Sequence, residues 1–170
     1  MADAAPVPRD HGVVRSEFTR QAEAFAAAGV FNDATILARI REAAQVTSAA
    51  RILDVACGPG IVAAALAPGA GEVIGCDITP EMLAKARSRA QAAGLTNVRF
   101  LPGLAEALPF ANDSFDAVVS RSAVHHFPDP AVAFSEMARV VRRGGRVITV
   151  DVMAVESGDD AALHNALEPL

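Results

Sequence analysis

Short apolar runs alternate with longer amphipathic stretches along most of the chain. Ile52, Leu53 and Val55 form the first run, and Glu72 to Cys76, Asn97 to Leu101, Phe115 to Ser120 and Arg146 to Val152 form four more. Each is short and ends at glycine, proline, aspartate or a polar cluster, which predicts five strands. The stretches between them read as helices. One follows the turn Gly58-Pro59-Gly60 as an alanine-rich run to Ala67. Another starts at Thr79-Pro80 and runs to Ala93, with Met82, Ala86 and Ala90 inward, Lys85, Arg87 and Arg89 toward water, and Gly94 as its stop. A third starts at Asp129-Pro130 and runs to Arg142, with Phe134, Met137 and Val141 at helical spacing and Gly144 as its stop. Upstream, Phe18, Ala22 and Phe25 predict a helix from Ser16 to Gly29, and Ile36, Ile40 and Ala43 a second from Ala34 to Val46. The tail after Val155 has room for one short helix.

This order, βαβαβ then βαβ, specifies an α/β fold with a doubly wound, mainly parallel sheet covered on both faces. Right-handed crossovers place the first strand centrally. The expected organisation is a loose arm over residues 1–15, cap helices over 16–48 and one sheet domain over 49–170. Ligands in such sheets bind beyond the carboxyl ends of the strands. Asp54, Gly58, Asp77, Glu106 and His125 all fall at that rim.

Composition narrows the function classes. The net charge is −5 and the 15 Lys and Arg residues form no long run, so nucleic acid is a poor partner. No unbroken apolar segment reaches membrane-spanning length, and the N-terminus lacks a signal-peptide core, so a cytoplasmic protein is expected. Cys57 and Cys76 sit in apolar sequence with no partner at ligand spacing, which argues for buried thiols and against a metal site.

The chemistry gathers at Arg51 to Ala67, RILDVACGPGIVAAALA. Gly58 and Gly60 let the backbone turn sharply and let a ligand approach it, and the following helix aims its free N–H groups at the same place. Gly58 to Ala63 fits the G-x-G-x-x-A dinucleotide fingerprint. Asp54, near the end of the first strand, can meet a cationic group. Asp77, ending the second strand, can accept from both hydroxyls of a ribose or remain a solvated turn acid. Ile78 and Met82 can sandwich an adenine ring.

Together these motifs resemble the class I S-adenosylmethionine-dependent methyltransferases, and within them the group of the ubiquinone and menaquinone C-methyltransferases. LDVACGPG, GCDITPEML and LPFANDSFDAVVS resemble three family motifs, RSAVHHFPDPAVAFSEMARVVRRGGRV resembles the block around strands four and five, and FTRQAEAF resembles the cap over the cofactor. The resemblance implies S-adenosylmethionine as cofactor and a small-molecule methyl acceptor. It implies that Asp54 and the loop of Ala56, Gly58 and Gly60 hold the methionine end. Asp77 would bind the ribose, and Ile78 and Met82 would flank the adenine. Ala105 and Glu106 would follow the adenine edge, with Ser120 and Arg121 near the reacting methyl. Many members carry an acid where this chain has Leu104. The family sheet also has two further strands after the fifth, so the chain is expected to be short at its C-terminal side, either as a fragment or with a fifth-strand edge that pairs with another copy.

His125 and His126 are candidate catalytic bases, of which one at most should enter the pocket; the alternative is hydrogen bonding that shapes the rim. Asp151 is a weaker candidate. His11 and His164 are expected to face solvent. The two N-terminal helices either cover the sheet or supply a lid through Phe18 or Phe25. Two other readings stay open: a cofactor-binding module without catalysis, and a nicotinamide-dependent oxidoreductase, against which stands the absence of any tyrosine.

Overall fold

Five parallel strands in the order β3-β2-β1-β4-β5 form the centre of the molecule. They are β1 (Arg51–Val55), β2 (Glu72–Asp77), β3 (Val98–Pro102), β4 (Phe115–Arg121) and β5 (Val141–Val150). The helices are α1 (Ala34–Ala43), α2 (Ile61–Leu66), α3 (Pro80–Ala92) and α4 (Pro130–Val140), with a 3-10 turn at Val124–His126. The computed structural model describes residues 10–13, 15–16, 18–20 and 33–151. The doubly wound parallel sheet with β1 at its centre is the one the sequence predicts.

Both faces of the sheet are covered, which explains why its central strands are mainly apolar. On one face Ile40 of α1, Val62 and Leu66 of α2, and Leu83, Ala86 and Ala90 of α3 pack on Ile52, Val73, Ala117 and Val119. On the other, Ala133, Met137 and Val140 of α4 pack with Leu108 on Leu53, Val55, Ile74 and Val118. Full burial of a Leu, Ile, Val or Met side chain contributes roughly 1.5–3 kcal/mol. α1 is capped by Asp33, whose Oδ1 accepts from Thr35 N at 2.8 Å and Ile36 N at 3.2 Å.

Several local expectations change. The N-terminal helical residues begin at His11, not Ser16. Ala22, Phe25 and Gly29 lie outside the described residues, as do His164 and the tail from residue 152. α1 stops at Ala43, three residues before Val46, where Gln45 turns to φ 48°. Thr79 stands at the N-cap position of α3 without a side-chain cap bond. Its hydroxyl turns to Asp77 instead. α4 ends at Val140, not Arg142, and buries Ala133, Met137 and Val140 while Phe134 is exposed. Val141 pairs with Phe115, so β5 starts five residues early. Gly144, at φ 76°, is therefore no helix stop. It lies in the register break between the Phe115–Val141 and Ala117–Arg146 pairs.

Candidate active site

The glycine loop is held from several sides. Cys57 N donates to Cys76 O at 3.0 Å, and Gly58 N donates to Asp77 Oδ2 at 2.8 Å, so β2 grips the loop through backbone and side chain. The other Asp77 oxygen accepts from Thr79 N at 2.8 Å. Asp54 Oδ2 accepts from Ala63 N at 3.0 Å, which ties the end of β1 to the first turn of α2. Arg89 does not face water as expected, because its Nε reaches across from α3 to Pro59 O at 3.0 Å. Ala56, Gly58 and Gly60 all have positive φ, at 53°, 49° and 74°.

Beyond the strand ends lies a cleft of about 1030 Å³ of empty space, counted to its open mouth. Asp54, Ala56 and Gly58 line it from the β1 side, and Asp77, Ile78 and Met82 from β2 and the start of α3. Leu104, Ala105 and Glu106 come from the β3–β4 connection, Arg121 from the end of β4, and His126 and Phe127 from beyond it. His11 and Phe18 close the remaining side. That arm is tethered to the first turn of α3, where Thr19 Oγ1 donates to Glu81 Oε2 at 2.9 Å.

The β3–β4 connection is fixed from behind by α4. Arg139 donates to Phe110 O at 2.8 Å, Asn112 Oδ1 at 2.9 Å and Leu108 O at 3.0 Å, while Glu136 Oε2 accepts from Leu108 N at 2.8 Å. Past β4, the 3-10 turn places the two histidines differently. His125 turns away from the cleft and its Nδ1 lies 2.6 Å from Asp151 Oδ1. His126 lines the cleft, with its ring 3.9 Å from that of His125 and in edge contact with Phe18 at 4.8 Å.

A family model described as a methyltransferase domain matches residues 53–149, from the core of β1 to the end of β5. The chain belongs to the methyltransferase domain family. An uncharacterized methyltransferase of Bacillus subtilis, YcgJ, is 42% identical over 139 residues, covering 82% of this chain and 55% of its own. Its crystal structure superposes with a TM-score of 0.70 over 77% of this chain and 56% of that one. The demethylmenaquinone methyltransferase of Thermus thermophilus is 47% identical over 104 residues, 59% of this chain and 46% of its own. A SAM-dependent methyltransferase from Aquifex aeolicus shares the fold at 20% identity, with a TM-score of 0.63 over 72% of this chain and 66% of that one. The chain spans about half the length of the curated relatives it matches.

In this methyltransferase domain nine of the eleven residues expected at the cofactor line one cleft: Asp54, Ala56, Gly58, Asp77, Ile78, Met82, Ala105, Glu106 and Arg121. Gly60 and Ser120 are not among its lining residues. Gly60 is a packing residue: a Cβ there would stand 2.8 Å from Ala86 Cβ, so glycine lets α2 and α3 approach. Ser120 is fully buried in β4, and its Oγ has no hydrogen-bond partner among the described residues. His125 is likewise not in the lining, because Asp151 holds its ring. His11 lines the cleft although it was expected in solvent. It sits in a stretch with two prolines and no periodicity, so its sequence carried no signal.

Burial and charge set the electrostatics. Asp54 is 1% exposed, and desolvation, reinforced by the Asp77 charge, pushes its carboxyl up to about 7 despite the bond from Ala63. Desolvation also raises Asp77, against the bonds from Thr79 and Gly58. Burial pushes Cys76 up to about 12 and Cys57 well above its ordinary value, which keeps both thiols protonated and unreactive. Among the described residues no helix is long and apolar enough to cross a membrane.

Proposed function

We propose that this chain binds S-adenosylmethionine in the cleft and transfers its methyl group to a small-molecule acceptor. The observation that carries the reading is the pair of buried carboxylates, Asp54 and Asp77, at the ends of adjacent strands in a cleft otherwise walled mainly by apolar side chains. That donor set fits a ligand with a cation at one end and a diol in the middle. The ligand, when bound, supplies a methyl group already activated on a sulfonium sulfur, so the protein's work is positioning and the exclusion of water.

Asp77 accepts from the ribose hydroxyls. Its two oxygens already accept from Gly58 N and Thr79 N, and the Thr79 hydroxyl bonds the same carboxylate, so the ribose hydroxyls compete with Thr79 for it. Asp54 faces the ammonium, which stabilises its ionised form. Ile78 and Met82 hold the adenine between apolar surfaces, with the Ala105 N–H and Glu106 along its edge. Leu104 lines the same wall and offers no acceptor to the adenine amino group. The Ala56–Gly58 backbone and Arg121 hold the methionine end, while Gly60 and Ser120 support it from behind. His126 stands at the rim, where an acceptor would enter. His11 and Phe18 cap the site, and the sheet from residue 49 onward carries the cofactor. The weakly charged rim favours a largely apolar acceptor. The exposed β5 edge, with Val147 39% exposed, is a surface for a second copy, and the cytoplasm is the proposed compartment.

The test is incubation with methyl-labelled S-adenosylmethionine and a small-molecule extract. Label in a small-molecule product, lost in Asp77→Ala, is the expected result. A folded chain that binds the cofactor and labels nothing contradicts the transfer.

A further inference from the structure

We propose that Arg89, on α3, is a positioning residue for the cofactor: its bond to the Pro59 carbonyl holds the glycine loop in the shape that receives the methionine end. This rests on the S-adenosylmethionine reading above and adds a residue outside the cleft to the binding machinery.

The loop has little intrinsic reason to keep its shape. Ala56, Gly58 and Gly60 all sit at positive φ, and Ala56 does so with a Cβ, which that region disfavours. Such a backbone persists only where its surroundings fix it. β2 holds the front of the loop, with Cys57 N on Cys76 O and Gly58 N on Asp77. β3 fills the space beneath it. A Cβ on Gly75 would stand 2.6 Å from Phe100 Cδ1, and one on Gly60 3.1 Å from Phe100 Cε1. The buried Phe100 ring therefore occupies a notch that two glycines leave open, and it stops the loop from sinking toward the sheet.

α3 secures what remains. Pro59 stands between the two loop glycines and has no N–H, so only its carbonyl can be held. Arg89 Nε donates to that carbonyl at 3.0 Å. Pro59 lines the cleft and Arg89 is not among the lining residues, so the guanidinium draws the oxygen to the outer side. The peptide fixed in this way joins Pro59 to Gly60, whose N–H closes the turn on Cys57 O at 3.0 Å. A charged donor makes this bond stronger than a neutral one would. Two residues earlier, Arg87 donates to Phe100 O at 3.1 Å, so one helix secures both the loop and the strand that supports it. An arginine that only solvated the helix would make no such crossing. Once released, the Pro59 carbonyl can rotate toward the cleft and set its oxygen against the methionine carboxylate, negative against negative.

The experiment compares the full unaltered chain with Arg89→Met, which keeps the apolar stem but no donor, and Arg89→Lys, which keeps a charged donor. Calorimetric titration with S-adenosylhomocysteine, urea unfolding, and amide hydrogen exchange at Gly58 and Gly60 in the free protein are measured for all three. Expected in Arg89→Met are binding about 10-fold weaker, faster exchange at Gly60 and an unfolding midpoint close to that of the unaltered chain, with most of the affinity restored in Arg89→Lys. Unchanged affinity in Arg89→Met overturns the assignment. Weaker binding without faster Gly60 exchange, or without recovery in Arg89→Lys, also overturns it, because the arginine would then act by some route other than the carbonyl. An unaltered chain that binds no S-adenosylhomocysteine overturns the cofactor reading itself, and this role with it.

Discussion

Asp54 is a buried acid whose charge works against stability in the cleft where the cofactor is proposed to bind. Its carboxyl is raised from 3.8 to about 7 by desolvation, so the folded chain keeps a proton that the unfolded chain releases between those values. Stability contributed at this site therefore falls as pH rises from about 4 to about 7, and stays low above that. Asp54→Asn keeps an oxygen for the Ala63 N–H and removes the buried charge. Urea unfolding at pH 4, 6 and 8 should show a variant that matches the unaltered chain at pH 4 and exceeds it at pH 8, with weakened cofactor binding throughout; equal stability at pH 8 would contradict the assignment. The two loop glycines make a second contrast. Gly60→Ala must fit a Cβ 2.8 Å from Ala86 Cβ at φ 74° and should cost about 1–3 kcal/mol. Gly58→Ala meets nothing within 4 Å and should cost only about 1 kcal/mol for its left-handed backbone. Chemical denaturation that ranks them the other way would refute the packing role. Asp54, Gly58 and Asp77 were legible as rim residues because each lies at or just past the carboxyl end of an apolar strand run. Arg89 and His11 were not, because a surface arginine looks the same whether it meets water or the Pro59 carbonyl.

Among the elements, α4 and β5 show where local pattern gives way to tertiary pairing. Arg142, Arg143 and Gly144 read as a helix C-terminus, a sound local inference. Val141 instead pairs with Phe115, and the sheet takes the chain three residues before the glycine. Nothing within the segment announces a partner that lies 26 positions upstream. The same helix supports the site from behind. Arg139 holds three acceptors on the segment that follows Ala105 and Glu106, so Arg139→Met should leave the fold intact and loosen that segment. Hydrogen exchange should accelerate at Leu108 and Phe110, and S-adenosylhomocysteine affinity should fall several-fold. Unchanged exchange there would show that the arginine is not what fixes the connection.

For the molecule as a whole, the strand order, the parallel sense and the central place of β1 follow from the alternation of short apolar runs with helices, because right-handed crossovers leave few other arrangements. Less legible was the N-terminal side, where His11 and Phe18 close the cleft and Thr19 fastens the arm to Glu81. That closure depends on side chains meeting across 62 positions, which no periodicity encodes. The sheet, the capped cleft and the two buried acids support one central claim, that this domain binds S-adenosylmethionine through Asp77. Calorimetric titration of the full chain and of Asp77→Ala with S-adenosylmethionine, with NAD as control, tests it most directly. The account predicts micromolar binding of S-adenosylmethionine, none of NAD, and loss of binding in a variant whose circular dichroism is unchanged. Absence of S-adenosylmethionine binding by the folded unaltered chain, or equal binding by Asp77→Ala, would contradict it.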